Sequence, residues 1–296
     1  MGGRRGGRQG QLIAAAMALL SLRDAGLEPA GRVILQSVVD EEPGGNGTLA
    51  ACLDADPPDA AIVLEPTGMD VAYGHRGIIG LRVTAEAEPG HAAVAGRVPR
   101  GAIARAAEAI RALGPALDGW SSPQDAAYGP PSLNVGRIAG GEDIFSVPRH
   151  CEFEVGLRYA PGTAARLLAA VRAALAPLPV ARDDSPTDLR AEVFSHYDAA
   201  ETPADHPLTQ GLLHAASLAR SGGDAPTAEG GPCLTTFPGG CDARHFVNRL
   251  AVPTVIFGPG SLAAAHAVDE ALPVEDLLAA ARTLAWFIAD WCGTSA

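Results

Sequence analysis

Residues 32–47 read RVILQSVVDEEPGGNG: an apolar, β-branched run ends in three acids, Asp40, Glu41 and Glu42, and then breaks at glycines. Such a run predicts a strand buried on both faces of a parallel sheet. Three like charges at its tip repel one another. Beside a low-dielectric core that repulsion costs stability unless something positive sits nearby. The flanking segments supply the rest of the rhythm. Residues 11–25 (QLIAAAMALLSLRDA) are rich in helix formers and stop at Gly26, a natural C-terminal cap. Residues 48–55 suit a short helix, and AAIVLEPT (60–67) reads as a second buried strand with Glu65 near its end. The order α-β-α-β is that of a parallel α/β sheet.

The pattern changes at GIIGLRVTAEAE (77–88), where apolar and polar residues alternate as in a half-solvated strand. A helix at 101–113, strands near 132–138 and 150–158, a helix at 163–177 and a strand near 189–195 follow. This β-α-β-β-α-β order is the ferredoxin-like split unit. It predicts a separate domain at 76–189, inserted into an α/β domain made of 1–75 and 190–296. The second piece carries a helix at 207–220, a strand at 233–237, a helix at 242–250, the strand VPTVIF (252–257) and an amphipathic helix at 274–292.

Composition narrows the functional classes. Asp and Glu number 34 against 22 Lys and Arg, a formal charge of −12. That argues against nucleic acid as partner, because phosphate binding is driven by cationic surface. Apolar residues make up 47% of the 296, enough for a substantial core. Five cysteines (Cys52, Cys151, Cys233, Cys241, Cys292) form no CxxC pair, so neither a disulfide framework nor a zinc ribbon is expected, and a reduced cytoplasmic setting is. No apolar run reaches membrane-spanning length, so no membrane association is expected.

In parallel α/β sheets, ligands bind beyond the carboxyl ends of the strands. Asp40 to Glu42, Glu65 in LEPT, and His266 in GPGSLAAAHAVDE all fall at such ends. Carboxylate plus imidazole is a natural zinc set, and a divalent cation would answer the repulsion at the acidic tip. Glu41, beside the ligands, is placed to act as a general base. Turn caps and helix N-termini explain any one of these acids equally well; the residues alone leave both readings open.

VILQSVVDEEPGGNGT, VLEPT, GHRGIIGLRVTAEAEPGHA, SLNVGRIAGGEDIFSVPRHCEFEVGLRY, GGCDARHF and VPTVIFGPGSLAAAHAVDE occur in that order. Together they resemble the di-zinc metallopeptidases that include acetylornithine deacetylase, succinyl-diaminopimelate desuccinylase and carboxypeptidase G. The resemblance implies a zinc-binding α/β domain with an inserted ferredoxin-like lid that forms a homodimer. It implies Glu41 as catalytic base, Glu42, Glu65 and His266 as metal ligands, and His91 as a lid histidine supporting the oxyanion. It further implies Asn134 and Arg158 as lid residues that grip the substrate, and Gly258, in the Gly258-Pro259-Gly260 turn, as lining its pocket. Asp242 lies in a family motif, but an N-cap for the helix at 242–250 accounts for it.

Two family elements are missing. The His-x-Asp of an upstream strand is absent, and in GGRQGQ Gly7 stands where the resemblance places the bridging aspartate. One metal is then left with Glu65 alone and the other with Glu42 and His266, whereas a catalytic zinc typically takes three protein ligands. The expectation is an N-terminally truncated hydrolase of amino-acid metabolism, using zinc or cobalt to cleave the amide of an N-acyl amino acid or short peptide, with impaired activity. The alternative is a non-catalytic dimerising relative or a gene-model fragment. Loss of the first strands is also expected to leave apolar faces of the 11–25 helix and of the sheet uncovered.

Overall fold

Alanine and leucine spaced by four turn one stripe of the first helix, Gly6–Asp24 (α1), into the core: Ala14, Ala18 and Leu22 are buried along it. The structure, a computed structural model, describes residues 6–94, 101–176, 189–220, 231–264 and 271–295. After α1 come α2 (Asn46–Asp54), β1 (Ala61–Leu64), β2 (Val71–His75), β3 (Gly77–Glu86), α3 (Ala102–Leu113), β4 (Ser132–Gly140) and β5 (His150–Tyr159). The chain continues with α4 (Ala164–Leu175), β6 (Leu189–Tyr197), β7 (Ala200–Glu201), α5 (Pro207–Arg220), β8 (Leu234–Phe237), α6 (Ala243–Leu250), β9 (Thr254–Phe257) and α7 (Val274–Cys292). Two compact units result, one of residues 1–75 and 200–296, the other of 76–199.

The first unit is a mixed sheet ordered β7-β2-β9-β1, with β8 pairing β2 in parallel. β9 and β1 run parallel in register from Thr254↔Ala61 to Phe257↔Leu64, so the residues after them, Gly258 and Glu65, leave the sheet side by side. Alternation sorts the side chains. Val71, Val255 and Phe257 join α1, α5 and α7 in one core, while Ala72 and Ile256 face Phe237, Cys241 and Ala243 in another. β2 lies at the centre of this sheet, yet its five-residue run VAYGH gives too short a pattern to stand out in the sequence.

The segment 32–39 corrects the sequence reading. It forms no strand in the described structure, and Val33, Ile34, Leu35, Val38 and Val39 are exposed, Val39 by 73%. A buried strand needs a ladder partner on each side. Among the described strands β1 pairs only with β9, and none pairs with 32–39. Ile13 and Leu20 on α1 are exposed as well.

The second unit is a four-stranded antiparallel sheet ordered β4-β5-β3-β6. This is the order of the ferredoxin-like unit. Ile79, Leu81, Val83, Phe153, Val155 and Leu157 alternate onto one face, where α3 and α4 cover them. β6 pairs along β3 from Ala85↔Leu189 to Ile78↔Tyr197. The expected boundary at 189/190 therefore moves to 199/200, because that ladder ties the whole strand to this unit.

Candidate active site

The acidic tip folds as a tight turn rather than as a strand end. Asp40 adopts φ 61, the left-handed region that aspartate tolerates better than most residues. Its carbonyl accepts the Gly45 N–H at 2.7 Å, the Glu41 carbonyl accepts Gly44 at 3.2 Å, and the Val39 carbonyl accepts Gly47 at 3.2 Å. Gly45, at φ 66, stands at the N-cap of α2. The turn leaves Glu41 half-buried and Glu42 exposed.

Glu65 is buried at 7% exposure where β1 ends. The Gly258 turn is fixed beside it. A Cβ on Gly258 would press on the Glu65 carbonyl at 2.7 Å, so only glycine lets the two strand ends lie this close. Thr67 Oγ1 and Gly258 N lie 3.2 Å apart, Thr67 bridges Ser261, and the buried Gln11 of α1 donates Nε2 to the Pro259 carbonyl at 3.3 Å. Gln11 has a positioning role here that helix propensity alone could not reveal.

The segment 241–245 packs against the acidic turn and its helix. Cys241 is fully buried, packed with Ala72, Phe237 and Ile256, within the electrostatic reach of Glu65. Burial first, and that carboxylate second, push its thiol well up from the ordinary range. The next residues reach the turn. Thr48 Oγ1 donates to Asp242 Oδ2 at 2.5 Å, and Arg244 donates Nη1 to the Cys241 carbonyl and Nη2 to the Gly44 carbonyl, each at 2.8 Å. Asp242 does stand at the N-cap of α6, but its side chain makes no capping hydrogen bond. The N-cap explanation is thus corrected: the carboxylate is committed to Thr48 and to Arg244 Nη2 at 3.7 Å. His245 is buried at 5% exposure. Burial, then the Arg244 guanidinium, hold its imidazole below the usual range, against the opposing pull of Asp242 and the Gly44 backbone.

His91, Asn134 and Arg158 belong to the other unit. Asn134 sits opposite Gly156 and Arg158 opposite Ser132, so both project from the sheet face that α3 and α4 leave open, one diagonal step apart. Both are exposed. His91 pairs with Ser146 in a short ladder, and its Nδ1 accepts the Ala93 N–H at 3.2 Å. His266 lies outside the described residues. Among the described residues no group of three or more His, Cys, Asp and Glu is assembled that could hold a metal ion.

The family model for peptidase family M20/M25/M40 matches residues 2–290. The chain belongs to the M20/M25/M40 peptidase family. An acetylornithine deacetylase of Myxococcus xanthus is 30% identical over 79% of this chain and 58% of its own length. A probable carboxypeptidase of Aspergillus clavatus is 29% identical over 91% of this chain and 60% of its own length. This M20/M25/M40 chain therefore spans about three fifths of those curated relatives. A hydantoinase/carbamoylase family amidase from Burkholderia ambifaria shares the fold, with a TM-score of 0.73, 16% identity, and coverage of 99% of this chain and 78% of that one.

Proposed function

We propose that this member of the M20/M25/M40 family hydrolyses the amide bond of an N-acyl amino acid or short peptide with the help of a divalent metal, zinc or cobalt, and that its activity is impaired. The observation that carries the reading is the segment 241–245, whose Arg244 hydrogen-bonds the Glu41–Glu42 turn at the Gly44 carbonyl and whose buried Cys241 lies within the electrostatic reach of Glu65. Glu65 would contribute to one ion and Glu42 with His266 to the other; carboxylate oxygens and one imidazole are a donor set that suits zinc. A bound ion of this kind polarises a carbonyl and makes water acidic enough to be deprotonated near neutral pH. Glu41, half-buried next to a ligand, takes the proton from the attacking water and returns it to the leaving amine. Arg158 and Asn134 bind the substrate's carboxylate and acyl groups, and His91 supports the negative oxygen of the tetrahedral intermediate. The curated deacetylase and carboxypeptidase relatives support amide chemistry on small acylated substrates.

The test is turnover of N-acetyl amino acids, N-acetylornithine among them, by the purified chain with added zinc or cobalt. Glu41→Gln is expected to abolish it while circular dichroism stays unchanged. A second reading, a non-catalytic relative that self-associates through residues 76–190, is favoured by Gly7, which offers no ligand in the first turn of α1. Absence of turnover in a chain that sediments as a dimer would select that reading.

A further inference from the structure

The residues that meet at 44–48 and 241–244 do more than fill space. A buried guanidinium is costly to desolvate, and apolar residues of similar volume are often as stabilising. What Arg244 supplies instead is direction. Its planar fork spans two carbonyls, Cys241 on its own segment and Gly44 on the acidic turn, and the neighbouring carboxylate of Asp242 takes the Thr48 hydroxyl from the helix that follows the turn. Gly45 seals the contact: a Cβ there would overlap Asp242 Oδ1.

We propose that Arg244, Asp242 and Thr48 are positioning residues, a buried clasp that fixes the turn bearing Glu41 and Glu42 against the buried segment 241–244. The purpose of the clasp rests on the metal-site reading above; its existence does not. Hydrogen exchange, read by mass spectrometry on the full chain, tests the clasp without metal. In Arg244→Ala the amides of Gly44, Gly45 and Gly47 should exchange about tenfold faster or more, with the amides of β3 and β5 unchanged. Arg244→Lys, which cannot fork to both carbonyls, should restore only part of the protection. Thr48→Val carries the same test should Arg244→Ala fail to fold. Turn amides that exchange at the wild-type rate in the folded variants would overturn the clasp.

Zinc affinity, measured by chelator competition, tests the purpose. Arg244→Ala should weaken zinc about tenfold or more in the wild-type background, and this loss should vanish in Glu42→Gln, because the arginine acts through that carboxylate. Equal losses in both backgrounds, or none in either, would overturn the positioning role. A wild-type chain that holds no zinc refutes the functional reading instead, and exchange at the turn then decides the clasp alone.

Discussion

Gly45 shows how one residue governs the candidate site. Its φ of 66 is strained for any L side chain, and a Cβ would overlap Asp242 Oδ1. Gly45→Ala is expected to lose on the order of 1–3 kcal/mol of stability, read as a lower urea midpoint. His245 gives a pH dependence of definite sign. Its folded imidazole titrates below the usual range, so the unfolded chain binds a proton first as pH falls. The stability it contributes is complete above about pH 6.5 and is lost as pH drops from there through the folded value. His245→Asn should therefore narrow the difference between urea midpoints measured at pH 7.5 and 5.5. Tyr159 works in the alkaline range. Its hydroxyl, bonded to His196 Nε2 at 2.7 Å, is pushed up to about 12, chiefly by burial. Folding stability should fall between about pH 10 and pH 12, and Tyr159→Phe should remove that part of the fall; absorbance of the phenolate band tracks it.

Among the elements, those with clear periodicity were legible in the sequence. α1, α5, α7 and all four strands of the second unit lie within a few residues of where apolar spacing puts them, because a helix stripe or an alternating strand repeats often enough to rise above chance. The segment 32–39 has the composition of a strand, but pairing depends on a neighbour, and no local pattern specifies whether one is there. Its exposed side chains have a measurable consequence. Val39→Asp is expected to change stability by less than about 0.5 kcal/mol, read from urea midpoints, since that side chain is 73% exposed and packs on little. In the second unit the opposite holds. Phe153 is fully buried between the sheet and its helices, and Phe153→Ala should cost about 3–5 kcal/mol, read from denaturant unfolding.

Across the whole molecule, the acids were visible in the sequence and their connection was not. Glu65 and Gly258 each follow an apolar run, and the ladder between β1 and β9 brings those ends together. Nothing in GGCDARHF announces that its arginine reaches the Gly44 carbonyl some 200 residues earlier in the chain; that contact exists only once the sheet order sets α6 beside α2. Charged residues packed into an otherwise apolar stretch at a helix start were the available signal. Zinc affinity measured by chelator competition for the wild-type chain, Glu42→Gln, Glu65→Gln and His266→Ala asks whether those three side chains share one metal-holding pocket. Convergence requires weak binding in the wild type, with fewer than two zincs per chain, and a further drop of about tenfold or more in each variant; affinity indifferent to all three substitutions would contradict it.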